Sequence, residues 1–369
     1  MNAMTGPTDL QSLDPRERRD LLKRLAGLSN DEVDTLFSGS LSVESADTMI
    51  ENVIGVMRIP MGLATGFLVN GREHVIPMVT EERSVITMAM RGAEFTRSTG
   101  GFKAAVTGST MIGQIQIMHV NDFEGARKRV LVHKDEILEL ANTLSKSRRA
   151  TDVEIRPLET SVGRMVIVEL MVDVRDTMGA NVVDSMCEAV APMVEGLTGG
   201  EVKMKILSNL ATKRVAHVET SVNPKLIGEE IAKGILEASA FADADPYRAT
   251  THNKGIMNGV AAILLATSND TRAVEAGAHA FAAITGRYKP LSTWRMDEGG
   301  NLRGELSMPM PVGVLGGSIS THPIARIALK VLNVKTAVEL GEVVASVGLA
   351  SNLGALNVLV TEGRSSIGY

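Results

Sequence analysis

What the chain lacks narrows its identity first. One cysteine, Cys187, stands among 369 residues, so an intrachain disulfide and a cysteine-based metal cage are both excluded. Aromatic residues make up only 3% and the net charge is −5. With no Lys/Arg block interleaved with aromatics, nucleic acid is not an expected partner. The seven histidines include no HxH or HxxxH pair, and no metal is expected. Neither GxGxxG nor GxSxG occurs, so a standard Rossmann fingerprint and a hydrolase elbow are missing. No apolar stretch follows RERRDLLKRL near the N-terminus, which argues against a signal peptide. No apolar run is expected to reach the roughly 18 residues of a membrane span. These absences together predict a cytoplasmic protein without a membrane partner.

What is present suits a large aliphatic core. The chain is 44% hydrophobic, with 20 Met and 35 Gly. That composition is enough for two domains, with Met filling gaps and glycine allowing close backbone approaches. Residues 14–28 read as an amphipathic helix with Asp14 as N-cap, Pro15 at the first helical position, and Leu21, Leu22 and Leu25 on one face. Ser29 and Glu32 have capping-box spacing for a second helix. Residues 51–79 look β-rich, with a hairpin at Asn70-Gly71. A helix over 80–100 ends at Gly100 and Gly101. Strands at 111–120 and 164–174 and helices at 121–145 and 179–197 suggest an inserted α/β subdomain. After Pro224 the pattern is helical, with little strand signal.

Four segments carry candidate chemistry. Residues 250–280 hold Lys254 at the mouth of a small-residue apolar helix, with Asp270 beyond it. A lysine there can polarise a carbonyl, and a carboxylate can tune it. Glu81 and Glu82 precede a helical run and read either as charge complementing a helix N-terminus or as a proton donor. Asp173 to Asn181 leaves a strand and opens a helix. It reads either as a capped turn or as a ligand-binding one, where Gly179 admits close approach and Asn181 offers polar contacts. Gly313 to Ser318 is a glycine-rich turn able to present backbone amides to an anion. His217, His279 and His322 lie in helical or turn contexts and read as structural.

Six motifs in order are similar to one family. They are ENVIG at 51–55, PMVTEE at 77–82, DVRDTMGAN at 173–181, DPYRATTHNKGIMNG at 245–259, NDTRAVEAGAHA at 269–280 and MPMPVGVLGG at 308–317. Together they resemble class II 3-hydroxy-3-methylglutaryl-CoA (HMG-CoA) reductase over about Leu13 to Gly363. The resemblance implies an α+β fold. A mostly helical large substrate-binding domain (1–107 and 217–369) would carry an inserted ferredoxin-like α/β small domain (108–216) that binds the dinucleotide. It implies two-step reduction of HMG-CoA to mevalonate and coenzyme A, or the reverse in mevalonate catabolism, by a homodimer or a higher oligomer of dimers. It makes Lys254 the oxyanion stabiliser, Glu82 the proton donor and Asp270 the link between them. Ser84, Arg248 and Asn258 become substrate-binding residues, and Asp176, Met178, Gly179 and Asn181 cofactor-binding ones. Lys146, Arg148 and Arg149, with no acid between Asn142 and Thr151, favour NADPH over NADH; a solvated basic loop is the alternative.

The resemblance also implies a departure. The family's acid for the CoA thiolate is a histidine in a C-terminal flap shortly after a TEG-like segment. Here no histidine follows His322. The expectation is therefore a chain without that flap, impaired in thioester reduction yet able to reduce mevaldehyde. A defective form that only binds HMG-CoA, a different CoA-linked dehydrogenase and a purely structural protein are the rival readings.

Overall fold

A computed structural model describes residues 12–38 and 41–361. The chain forms two compact units, one of Met1–Val106 with Ala216–Tyr369 and one of Thr107–Val215. Residues 362–369, on which the expectation of a missing flap bears, lie outside the described residues.

The first unit opens with α1 (Pro15–Ala26), α2 (Asn30–Ser38) and α3 (Val43–Asp47). Asp14 accepts from the Arg16 and Glu17 amides at 2.7 and 2.9 Å, and Glu17 accepts from the Asp14 amide at 2.8 Å. Ser29 and Glu32 form the same reciprocal box at α2, as their spacing predicts. Of the expected leucine face only Leu22 is buried, packed with Ile327 and Val331, while Leu25 is exposed.

Next come β1 (Met61–Val69) and β2 (Arg72–Val79), paired antiparallel. Asn70 and Gly71 both take left-handed backbone, φ 49° and 75°, which the tight hairpin turn requires. Residues 51–60, expected to be part of a β-rich run, carry no strand. Their apolar content finds no neighbour to pair with: Ile54 is fully exposed and Met57 largely so. Then follow α4 (Val85–Arg97) and β3 (Phe102–Val106).

The second unit runs β4 (Thr110–Met118), α5 (Phe123–Val132), α6 (Lys134–Asn142), β5 (Arg149–Thr160), β6 (Gly163–Asp173), α7 (Ala180–Thr198) and β7 (Glu201–Ser208). Its sheet has the order β5-β6-β4-β7, all antiparallel. This is the ferredoxin-like β-α-β-β-α-β arrangement, with two helices in place of the first. The helical pattern expected over 121–145 breaks at His133, whose backbone leaves the helical region. Strands β5 and β7 are mostly exposed and polar on alternate residues, so their apolar signal is weak.

The chain returns to the first unit through β8 (Val215–Val222), α8 (Pro224–Ile227), α9 (Glu229–Ala244), α10 (Pro246–Ala266), α11 (Thr271–Ala282), β9 (Ser292–Met296), β10 (Leu302–Pro309), α12 (Gly317–Thr321), α13 (Pro323–Leu332) and α14 (Ala337–Thr361). The first unit's sheet is β2-β1-β3-β8-β10-β9. Its last two strands lie where the sequence shows little strand signal. They form an antiparallel pair at the sheet edge, stabilised by pairing and packing more than by local pattern.

Helix α14 corrects the expectation about apolar runs. It is long and apolar enough to cross a membrane, and Val343 to Val360 carries no charge. Its surroundings are protein: Ala345, Leu349, Ala350 and Leu353 are all fully buried. An apolar helix without a polar face belongs in such a core. Small residues let two neighbours approach it closely. A Cβ on Gly92 of α4 would lie 2.0 Å from the Ala350 carbonyl oxygen, and one on Gly354 would lie 2.1 Å from that of Met88. A Cβ on Gly259 of α10 would meet Ser351 Oγ at 2.2 Å. Helices α4 and α10 are thereby seated on one rigid element.

Candidate active site

The central pair lies on α10 and in the turn that leads into α4. Glu82 sits in the short turn before α4, where its amide donates to Thr80 Oγ1 at 3.1 Å. Lys254 lies in the third turn of α10, inside the helix and not at its mouth. Its Nζ donates to Glu82 Oε2 at 2.8 Å. The two side chains are 56% and 42% exposed. A pair so open to water contributes little to stability, so its value lies in what it presents to a ligand.

Asp270 is placed differently from its expected linking role. It is the N-cap of α11, accepts from the Ala273 amide at 3.0 Å and lies 3.6 Å from Arg272 Nε. The Lys254–Glu82 contact is direct. Asn269 beside it exchanges two bonds with Gly313, amide to Oδ1 at 2.8 Å and Nδ2 to carbonyl at 3.1 Å. Ser318 Oγ donates to the Ser268 carbonyl at 2.9 Å. The glycine-rich segment is thus stitched to the Asp270 turn by Asn269 and Ser318, both of which lie within segments the sequence singles out.

Ser84 lies two residues after Glu82, and Arg248 and Asn258 lie on α10, six residues before and four after Lys254. Ser84 starts α4 in left-handed backbone, φ 71°, and its hydroxyl makes no capping bond. A β-region serine would cap the helix; this strained one leaves its oxygen available. Arg248 is half-buried on α10, and burial alone lowers its pKa. Asn258 stands one helical turn beyond Lys254, at i+4, on the same side of α10.

Beneath Lys254 lies a buried polar cluster that the motifs alone do not reveal. His252, 2% exposed, has its Nε2 at 2.7 Å from Ser292 Oγ and 3.1 Å from Asn352 Nδ2. Asn352 Oδ1 accepts from Trp294 Nε1 at 2.8 Å. Burial, reinforced by the charge of Arg248, brings the His252 pKa down to about 4, so the ring is neutral at physiological pH. Asn253 spends both ends of its amide on Leu291 N, Lys289 O and Tyr288 Oη. His252, two residues before Lys254, lies on the opposite side of α10, and Asn253 lies between the two.

Two of the three histidines expected to be structural make side-chain contacts that fit that reading. His217 corrects its expected helical or turn context: it lies on β8, with Nδ1 at 2.8 Å from Ser307 Oγ. His279 on α11 contacts Tyr288 Oη at 2.7 Å. His322 joins α12 to α13, and burial lowers its pKa. Among the described residues no group of acids, histidines and cysteine is arranged to hold a metal ion.

The second unit presents the turn from Asp173 to Gly179. Arg175 and Gly179 both have positive φ, 50° and 97°, and Gly179 precedes α7. A Cβ on Gly179 would lie 2.4 Å from Val174 Cγ1, so only glycine lets the chain enter the helix here. Met178 and Asp176 are half-buried and Asn181 is exposed. In the same unit an open cleft of about 650 Å³ is lined by Asp135, Glu139, Asn142, Arg149 and Thr151. No acid lies between Asn142 and Thr151 in sequence, but the fold brings two from α6 to the cleft that Arg149 lines. Lys146 is exposed and Arg148 half-buried beside it.

Comparison with known proteins agrees with this geometry. A family model described as hydroxymethylglutaryl-coenzyme A reductase matches residues 14–366. A 3-hydroxy-3-methylglutaryl-coenzyme A reductase from Archaeoglobus fulgidus is 49% identical over 95% of this chain and 82% of its own length. A probable reductase of the same name from Borreliella burgdorferi is 32% identical over 94% of this chain and 81% of its own. The structure of the class II enzyme from Streptococcus pneumoniae bound to NADPH in open conformations superposes with a TM-score of 0.92. It is 40% identical, covering 95% of this chain and 98% of that one. The fold and its matches define an oxidoreductase with a ferredoxin-like unit inserted in the sequence of a larger one. The chain belongs to the HMG-CoA reductase family, class II.

Proposed function

We propose that the Lys254–Glu82 pair is the reducing centre and that it acts twice on one substrate. HMG-CoA accepts a first hydride at its thioester carbon, giving mevaldyl-CoA hemithioacetal. Loss of coenzyme A leaves mevaldehyde, and a second hydride gives mevalonate. A bound nicotinamide dinucleotide supplies each hydride. Lys254 faces the carbonyl oxygen and stabilises the negative charge that grows there, where electrostatic help counts most. The proton that the aldehyde oxygen needs comes from Glu82 in its protonated form; the carboxylate left behind pairs with Lys254, as in the contact seen here, and is reprotonated from solvent. Asp270 is assigned to link Lys254 and Glu82, although its contacts here are with the Ala273 amide and Arg272.

The substrate's own carboxylate is assigned to Arg248 and Ser84. A guanidinium offers a two-pronged fork to a carboxylate, and the uncapped Ser84 hydroxyl adds a third donor. Asn258 supplies a further polar contact. The dinucleotide is assigned to Asp176, Met178, Gly179 and Asn181, where the exposed α7 N-terminus offers amides to a phosphate. The NADPH preference is assigned to Lys146, Arg148 and Arg149. The assembly proposed is a cytoplasmic homodimer.

The observation that carries this reading is the 2.8 Å contact between Lys254 and Glu82. The two half-reactions are assayed separately, with HMG-CoA and with mevaldehyde, following absorbance at 340 nm and identifying products by mass spectrometry. Mevalonate from both supports the full reaction. Mevalonate from mevaldehyde alone assigns only the second half. No oxidation of reduced dinucleotide with either overturns the assignment.

A further inference from the structure

Among the described residues Arg214 is the largest fully buried side chain, 1% exposed, and no step above uses it. It sits in the connection between β7 and β8, within the second unit. Its Nη1 donates to the Thr177 carbonyl at 2.9 Å. Burial draws its pKa down to about 10, opposed by the charges of Asp176 and then Asp173. It is thus a permanent cation enclosed against a turn that bears two carboxylates.

The turn needs such support. Arg175 is a non-glycine residue at φ 50°, and Gly179 is at φ 97°. A backbone held in sparsely populated conformations persists only where its surroundings over-determine it. Asp173 contributes by accepting from Ser109 Oγ and from the Arg175 amide at 3.0 Å. Thr177 closes the next step, its hydroxyl donating to the Val174 carbonyl at 2.9 Å. The remaining constraint, on the Thr177 carbonyl, comes from Arg214. A guanidinium can donate in several directions from one plane, which a lysine ammonium cannot reproduce.

We propose that Arg214 is a positioning residue for the dinucleotide, holding the Asp173–Gly179 turn in the shape that receives the cofactor while reaching no bound ligand itself. The inference rests on the assignment of that turn to the dinucleotide. Its function is selective: the substrate residues Ser84, Arg248 and Asn258 lie in the other unit.

The test compares wild type, Arg214→Met and Arg214→Lys as full chains. NADPH affinity is read by fluorescence titration, HMG-CoA affinity by calorimetry, and folding by circular dichroism. Arg214→Met is expected to weaken NADPH at least tenfold, with HMG-CoA affinity within twofold of wild type and KM for NADPH rising more than kcat falls. Arg214→Lys, which keeps the charge without the fork, is expected to fold and to weaken NADPH about fivefold. If Arg214→Met does not fold, the lysine variant decides alone. NADPH binding at wild-type strength in the folded lysine variant, or equal loss of both ligands in either folded variant, overturns the proposal. Wild-type protein that binds no dinucleotide at all overturns the underlying site assignment instead.

Discussion

Lys254 Nζ lies 2.8 Å from Glu82 Oε2, although 172 residues separate them in the chain. The contact joins the start of α4 to the third turn of α10. Both helices are fixed on α14 by glycines that bring backbone against neighbouring atoms. Lys254 therefore moves with the core, and Glu82 is carried by the short turn that leads into α4.

Replacing Lys254 with Met should remove the charge that meets the developing oxyanion. Single donors of this kind contribute roughly 10²–10³ in kcat. We expect a loss of at least that size with HMG-CoA and with mevaldehyde, while NADPH affinity stays within twofold. Glu82→Gln should depress mevaldehyde reduction by about 10²–10⁴. Steady-state rates for the two substrates check both. A Lys254→Met variant with more than a tenth of wild-type kcat would remove lysine from the mechanism.

Arg248→Met should raise KM for HMG-CoA about 100-fold with a smaller change in kcat. Arg248→Lys should recover little, because a point charge does not match a carboxylate's two oxygens. Full rescue by lysine would mean that only charge matters at this position.

His252 links stability to pH with a definite sign. Its folded pKa, about 4, lies below the unfolded value of about 6.5. As pH falls, the unfolded chain takes up the proton first. The contribution is complete above pH 6.5 and is lost progressively as pH falls towards 4, up to roughly 3 kcal/mol. Burial lowers the His74 pKa too, with the same sign. Urea unfolding at pH 7.5 and pH 5 should show the fall, and His252→Asn should flatten part of it. An unchanged slope in that variant would show that His252 does not carry the linkage.

Gly92→Ala and Gly354→Ala should each destabilise the first unit. The new methyl would meet backbone carbonyl oxygens at 2.0 and 2.1 Å, which cannot move without shifting a helix. Overpacking of this kind costs about 1–3 kcal/mol or more. Thermal unfolding should register it, with activity falling alongside because the Lys254–Glu82 spacing depends on the same contact. Wild-type stability in both variants would refute the tight α4–α14 crossing.

The dinucleotide preference should favour NADPH in kcat/KM, with Arg148→Ala and Arg149→Ala each eroding it. Asp135 and Glu139 oppose Arg149 in the same cleft, so Arg148 and Lys146 are expected to matter at least as much. A kcat/KM tenfold or more in favour of NADH would reverse the assignment.

Local chemistry made much of this legible in the sequence. Asp14, Ser29 and Asn70-Gly71 act within a few residues, and each does what its spacing predicts. Strands β9 and β10 were not legible, since edge pairing outweighs their weak local pattern. Residues 51–60 showed the converse, an apolar run without a strand partner. The Lys254–Glu82 pair is encoded by no spacing: ordered motifs suggested it, and the α4–α14–α10 packing brings it together. Arg214 and the His252 cluster escaped notice because an isolated arginine or histidine gives no hint of burial until its neighbours arrive.

Helix α14 also sets the order of events at the ribosome. It is synthesised after every other described helix and strand, yet α4, α10 and β10 all pack on it. Until it emerges, the first unit's core has no centre, and its apolar surfaces stand open to chaperones and to aggregation. The ferredoxin-like unit, complete by Val215, has its own core and can close much earlier. The nascent chain should therefore acquire a folded inserted unit before the unit that flanks it. That unit must then bury an uncharged segment that, left exposed, has the length and composition of a membrane span.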